Sequence, residues 1–374
     1  MTRPIRAVFV AVFSTFAILV ATVAPGSAQP PPPPSDGVFN HDFASPVLGL
    51  NAIHGTNLLF AADAGAGIAR VSRGGSTMLA DLPGVNDVLP MSRARGFAIT
   101  GGPPPDEGPP EQTQSASLQS AAPAPSSVYV FRGGHLRLLA DIGAREARLN
   151  PDGEEIDSNP FDMYRRGGLL GVSDAGANTL WGVRIGNGRT RVIAVFPGQV
   201  EETQWLKDLV GCPEGPPDLC DLPPELYAQS VPTGVTVGPD GAWYVAELRG
   251  FGAGPGTARV WRIEAGTWNA DCSVDPRCEV VATGFTSIID IAFTADGRLV
   301  VAEMDELTFL AAEEGLGVGG AIWVCEIEAE CNLFADGLPL LTSIALGRGD
   351  RVFAIVFGVV PGSADIVSLG RITS

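Results

Sequence analysis

Asp240-Gly-Ala-Trp-Tyr-Val-Ala-Glu247 and Asp296-Gly-Arg-Leu-Val-Val-Ala-Glu303 align without a gap, and their reading decides the fold. Each opens on an Asp-Gly turn pair, runs through apolar, mostly β-branched or aromatic residues, and ends on an acid seven positions after the turn. The same phase recurs at Gly167–Asp174 and Thr56–Asp63. Two further matches, Arg95–Gly102 and Asp350–Phe357, lack the acid. Six units result, at intervals of 39 to 73 residues. A recurrence on this scale is the signature of a repeat architecture.

Within a unit a strand precedes the turn, as at Val235–Val237 and Ile289–Phe293. A third strand follows the acid (Ala258–Ile263; Ala321–Glu326), then a fourth (Glu279–Ala282; Asn332–Ala335). Four antiparallel strands repeated six times predict an all-β fold, a six-bladed β-propeller, which leaves only short sheet edges. The last unit ends near Ile366–Leu369 with little chain left for an outer strand. Val38–Phe43 is therefore expected to supply it, so that the N-terminal strand closes the last blade. The propeller is assigned to residues 37–374, with insertions near 102–126, 199–230 and 305–320. The second insertion has a short helix expected at Glu201–Leu209.

The composition agrees. Gly (47) and Pro (31) are too frequent for long helices, so helical bundles are excluded. Acids outnumber bases 42 to 24, a net charge of −18, and a nucleic-acid partner is excluded for want of a basic face. Residues 1–28 read as a signal peptide: Arg3 and Arg6, an apolar run over Ala7–Val23, and the small residues Gly26-Ser27-Ala28. Residues 29–36 form a Pro-rich spacer. No later segment is apolar enough to span a bilayer, and a secreted or periplasmic protein is expected, as a monomer.

Export makes disulfides the natural use of the six cysteines. Fifteen connectivities are possible, and the simplest pairs each cysteine locally: Cys212 with Cys220, Cys272 with Cys278, Cys325 with Cys331. No CxxC spacing supports zinc. Cys278 and Cys331 each stand six residues before a Gly at the end of a fourth strand, so two bridges should staple hairpins between third and fourth strands.

The repeated acids Asp63, Asp174, Glu247 and Glu303 could be a ring of functional carboxylates or acceptors for turn N–H groups, and the second reading is preferred. His41, His54 and His135 are isolated, with no HExxH and no triad spacing. Trp181, Trp243 and Trp261 fall within strands and read as packing residues. Trp205 and Trp268 lie outside them and are the candidates for ligand contact.

Several segments resemble the ScyD/ScyE family. They are Asn159-Pro-Phe-Asp162, Asp174-Ala-Gly-Ala-Asn-Thr-Leu180, Val231–Gly241, Gly250-Phe251, Thr257-Ala-Arg-Val260 and Thr283–Phe293, dense between Ser158 and Leu310. The sequence departs from the family at Gly252-Ala253-Gly254, where Pro-Phe is usual. The resemblance implies an exported propeller related to NHL-repeat and regucalcin-like proteins, and no particular reaction. Regucalcin-type lactonases hold calcium where first strands enter the central channel. Here Asn86, Asn159 and Asp290, with Asp87 beside the first, could supply the oxygens a hard cation takes. The acid those enzymes carry in the first blade is missing, with only Ser45 or Ser158 nearby. The leading expectation is a binding or scaffolding module with no identifiable reaction, for a small molecule or an exported protein. The alternative is a calcium-dependent hydrolase or lactonase in which Ca2+ polarises a carbonyl and Asp87 or Asp290 acts as base.

Overall fold

The computed structural model describes residues 37–40, 42–73, 75–102, 123–313, 315–327 and 329–373. The signal peptide and the Pro-rich spacer lie outside these residues, as do His41 and most of the 102–126 insertion.

Six sheets, each built on four antiparallel strands, surround a central channel. The innermost strands are Val47–Ala52, Val85–Ser92, Pro160–Arg166, Pro232–Val237, Ile288–Phe293 and Ser343–Leu346, in blades 1 to 6. The second strands, such as Leu59–Asp63, Trp243–Glu247 and Leu299–Glu303, are buried at every residue. A neighbouring blade covers each of their faces, which is why they read as unbroken apolar runs rather than alternating ones. Fourth strands such as Gly75–Asp81 and His135–Asp141 are only partly buried, with Met78 and Leu138 among their exposed residues. Apolar clusters fill the spaces between blades. One sets Trp243, Trp261 and Ile263 of blade 4 against Leu180, Ile193 and Phe196 of blade 3.

The ring closes as expected. Val38–Asn40 pairs with Asp365–Arg371 as the outer strand of blade 6, with Val38 opposite Val367. Phe39 meets Phe353 edge-on at 5.1 Å between centroids, and Asn40 Nδ2 reaches the Ser72 carbonyl of blade 1.

All three local disulfides form. Cys325–Cys331 joins the end of a third strand to the start of a fourth, as read from the sequence. Cys272–Cys278 differs from that reading. Residues Ala270–Asp271, just before Cys272, pair in parallel with Thr190–Val195 and add a fifth strand to blade 3. This bridge therefore ties the blade 4 hairpin to its neighbour. The 199–230 insertion also departs: residues Gln199–Glu202 form a strand paired with Glu225–Ala228, the expected helix starts only at Gln204 and runs to Leu209, and a second short helix spans Pro217–Cys220. A helix not expected from the sequence, Gly143–Leu149, joins blades 2 and 3.

The phase of blade 2 also shifts. Asp63, Asp174, Glu247 and Glu303 sit opposite the first residue of their innermost strands, but the equivalent in blade 2 is Thr100 rather than Gly102.

Candidate functional site in the central channel

In blades 1, 2, 3, 4 and 5 the innermost strand breaks register immediately after its first residue. A bulge re-aims the side chain that follows it. The third residues of these strands are Gly49, Asp87, Asp162, Gly234 and Asp290, and Ser343 of blade 6 completes the circle.

A hydrogen-bonded belt links these positions from blade to blade. Asn51 Nδ2 donates to Asp87 Oδ1 at 3.0 Å, joining blades 1 and 2. Asn86 Nδ2 donates to Asn159 Oδ1 at 3.1 Å and to the Pro160 carbonyl at 2.9 Å, joining blades 2 and 3. Val235 N–H donates to Asp162 Oδ2 at 2.7 Å, and Thr233 Oγ1 donates to the Ile288 carbonyl at 2.7 Å. Ser343 Oγ and Ile344 N–H both donate to Asp290 Oδ2, at 2.7 and 2.8 Å. Leu50 N–H donates to Ser343 Oγ at 3.0 Å and closes the circuit.

Three carboxyls thus crowd one channel, and no Lys, Arg or His forms an ion pair with them among the described residues. Burial raises Asp87 to about 7, with the charge of Asp290 adding to the rise. Burial and the charge of Asp162 push Asp290 up to about 8. Asp162 is raised well above the carboxylate range by burial and by Asp87. Asp87 and Asp162 act on each other, so the two carboxyls resist carrying charge at the same time.

Asp162 and Asp290 are half-buried and line a cavity of about 340 Å³. Its walls include His54, Met91, Tyr164, Arg165, Phe293 and Leu346. Asp87 lies behind, 3% exposed, with Oδ2 making no hydrogen bond. The arrangement offers a ligand two carboxyl groups able to accept from a cation or, when protonated, to donate.

Of the residues singled out from sequence, Asn86 and Asn159 are brought together and bond to each other. Asn159 Oδ1 also accepts from Gly102 N–H at 3.0 Å. Asp290 stands with Asp87 and Asp162 instead. Among the described residues no three His, Cys, Asp or Glu side chains converge as a metal-holding group. Asp162 was missed as a site residue, although Asn86-Asp87, Phe161-Asp162 and Ile289-Asp290 share one pattern, an acid in the third place of an innermost strand.

Asp63, Asp174 and Glu303 accept main-chain N–H groups as the preferred reading expects, whereas Glu247 is held by side chains alone. Asp63 Oδ1 accepts from Gly65 and Ala66 N–H. Asp174 accepts from Ser158 Oγ, Asn159 N–H, Ala177 N–H and Trp181 Nε1. Glu247 takes Ser230 Oγ, Trp261 Nε1 and an ion pair with Arg259, and Glu303 takes Thr286 N–H and Trp323 Nε1. Three third-strand tryptophans thus clamp the acids of blades 3, 4 and 5. Trp205 and Trp268 are not open platforms. Trp205 Nε1 bonds the Gly252 carbonyl at 3.1 Å, and Arg191 stacks over Trp268 at 4.9 Å.

No family model and no curated protein matches the chain. Among solved structures it is similar to a gluconolactonase of Xanthomonas campestris, with a TM-score of 0.54 and 11% identity over 91% of this chain and 96% of that one. It is also similar to a glucose dehydrogenase, with a TM-score of 0.48 and 11% identity over 88% of this chain and 97% of that one. A catalytically inactive virginiamycin B lyase from Staphylococcus aureus, crystallised with quinupristin, has a TM-score of 0.46 and 13% identity over 84% and 78% of the two chains. At these identities the likeness speaks to the fold alone. Among the described residues no helix is long and apolar enough to cross a membrane.

Proposed function

We propose that the protein is an exported binding propeller, secreted or periplasmic, that takes a small molecule into its central channel. The carrying observation is that Asp162 and Asp290 line one cavity together, among apolar residues such as Phe293 and Leu346 and polar ones such as His54, Tyr164 and Arg165. Concave, apolar sites with a few convergent polar groups are the usual form of small-molecule sites. The ligand class is a compact molecule with an apolar body and a cationic or hydroxyl-bearing end, which meets the two carboxyls. The three disulfides and the likeness to ScyD/ScyE motifs support export. Thermal melting against a panel of small amines and polyols tests the reading. At least one is expected to raise the melting temperature, with affinity reduced tenfold or more in Asp290→Asn. No response to the panel, or a response unchanged in that variant, sinks it.

The second reading is a calcium-dependent hydrolase or lactonase with Ca2+ against Asn86, Asn159 and Asp290. What favours it is the set of carboxyls that titrate near neutrality, suited to general acid–base work. Against it, Asn159 Oδ1 already serves Asn86 and Gly102. Calcium-stimulated hydrolysis of simple sugar lactones, lost in Asp290→Ala, would move this reading to first place.

A further inference from the structure

Glu146 has no exposed surface, and neither of its carboxylate oxygens has a hydrogen-bond partner. It sits in the helix Gly143–Leu149, which ends at Asn150 in a left-handed conformation. The loop that follows is Asn150-Pro-Asp-Gly-Glu-Glu-Ile-Asp157. The charges that act on Glu146 are those of Asp174, Asp152 and Asp157, and all repel it. No ion pair involves any of these four acids among the described residues, and the adjacent Arg145 makes none either. Asn150 Oδ1 is a second buried oxygen without a partner.

Buried polar groups are almost always paired, and a buried carboxylate among like charges is the costliest exception. The rest of the loop is built with care. Asp152 Oδ1 accepts from Glu154 N–H at 3.1 Å, and its Oδ2 accepts from Asn178 Nδ2 at 2.9 Å. Asn150 Nδ2 donates to the Glu154 carbonyl at 2.9 Å, and Gly153 takes a φ of 73° that an L side chain resists. Amide nitrogens are thus spent inside the loop; the buried atoms left unpaired beside it are the Glu146 carboxylate oxygens, Asn150 Oδ1 and Arg145 Nε, three oxygens to one nitrogen.

We propose that a divalent cation of the calcium type binds between the helix Gly143–Leu149 and the loop 150–157, with Glu146 and Asn150 Oδ1 as buried donors. Calcium accepts carboxylate, amide and main-chain carbonyl oxygens in flexible geometry. Three acidic side chains do not converge here, so Asp157 or Asp152 and main-chain carbonyls complete the shell. The cation supplies the positive charge the cluster lacks. It also fixes the start of blade 3, because the loop leads into Ser158 and Asn159. Both residues bond Asp174, and Asn159 receives Asn86 in the belt. The site is separate from the cavity at Asp162 and Asp290 and does not depend on the proposed function.

The test uses the full exported chain stripped with EDTA, then titrated with CaCl2 by calorimetry and with terbium by emission sensitised through Trp181, which touches Asp174. The expected result is one saturable site and a higher melting temperature in calcium. Affinity should fall a hundredfold or more in Glu146→Gln and clearly in Asp157→Asn, and stay unchanged in Asp290→Asn. Metal-free Glu146→Gln should melt at or above the metal-free parent, which separates lost binding from lost folding. No calcium response in the parent overturns the proposal. So does a response kept in both Glu146→Gln and Asp157→Asn, or one lost only in Asp290→Asn.

Discussion

Asp290 Oδ2, in blade 5, accepts the main-chain N–H of Ile344 in blade 6 at 2.8 Å, beside the hydroxyl of Ser343 at 2.7 Å. Asp162 does the same two junctions earlier, accepting Val235 N–H of blade 4. Innermost strands have no partner strand on the channel side, so some of their N–H groups need another acceptor. The acids provide it, and in doing so they join separate sheets. This explains why carboxyls persist in so dry a place without a counter-charge. The same groups that line the cavity hold the ring together.

Asp290→Ala therefore leaves Ile344 N–H and Ser343 Oγ without their acceptor, and about 1–3 kcal/mol of stability should be lost. Urea unfolding of parent and variant measures it. Equal midpoints would mean that water replaces the carboxylate at no cost and that the belt is incidental.

Stability should fall as pH rises. The unfolded chain gives up its carboxyl protons near pH 4, whereas burial holds those of Asp87 and Asp157 to about 7 and those of Asp290 and Glu146 to about 8. Between these limits the folded state binds more protons, so unfolding releases them and becomes easier with rising pH, levelling off above pH 8. Asp275 and Asp296 shift the opposite way, down to about 2, through hydrogen bonds from Arg277 and Arg298, but they act only below pH 4 and are solvent-screened. Unfolding in EDTA at pH 5, 6.5 and 8.5 should give midpoints in falling order. A higher midpoint at pH 8.5 than at pH 5 would refute the assignment.

The propeller was legible because its punctuation is local. Asp240-Gly241 and Asp296-Gly297 make tight turns from two residues, and the runs after them are buried on both faces, so the pattern survives in one dimension. The belt was only half legible. Asp290 and Asp87 could be placed on innermost strands, but which of Asn86 and Asp87 faces the channel partners is set by a bulge, and a one-residue slip turns a side chain to the other face. Asp162 went unnoticed beside Phe161 for that reason. Cys272 was paired correctly, yet the strand before it joins blade 3, a contact between segments about 75 residues apart. Glu146 gave no signal at all. One acid in a helix of seven residues looks solvated until the fold buries it.

Ring closure should be worth more than the length of its strand suggests. Val38–Asn40 is only three residues, but it covers the edge of Asp365–Arg371 and carries Phe39 onto Phe353. In a chain that begins at residue 29, removing residues 29–43 should lower the melting temperature clearly, while removing 29–35 should leave it unchanged. Equal melting temperatures for the two truncations would show that blade 6 closes without its N-terminal strand.

The final prediction concerns the small residues of the belt. Gly49 and Gly234 stand where Asp87, Asp162 and Asp290 stand in other blades. A Cβ on Gly49 would lie 2.6 Å from both the Asn86 carbonyl and Asp87 Oδ1, and 2.8 Å from Asp87 Cα. A Cβ on Gly234 would lie 2.7 Å from Ile291 N and 2.9 Å from Asp290 Cα. Neither glycine has a positive φ, so the obstacle is space alone. The acid of the next blade, or its backbone, occupies the room each glycine leaves, and backbone atoms cannot rotate aside. Gly49→Ala and Gly234→Ala should each cost about 1–3 kcal/mol, the scale of overpacking in a tight core. Gly75 is the control: it has no atom within 4 Å of its Cβ direction and no positive φ, and alanine there should change stability by less than about 0.5 kcal/mol. Urea midpoints for the three variants decide the matter. If Gly49→Ala and Gly234→Ala match Gly75→Ala, the inner ring is looser than the belt requires, and the close seating of Asp87 and Asp290 against their neighbours is wrong.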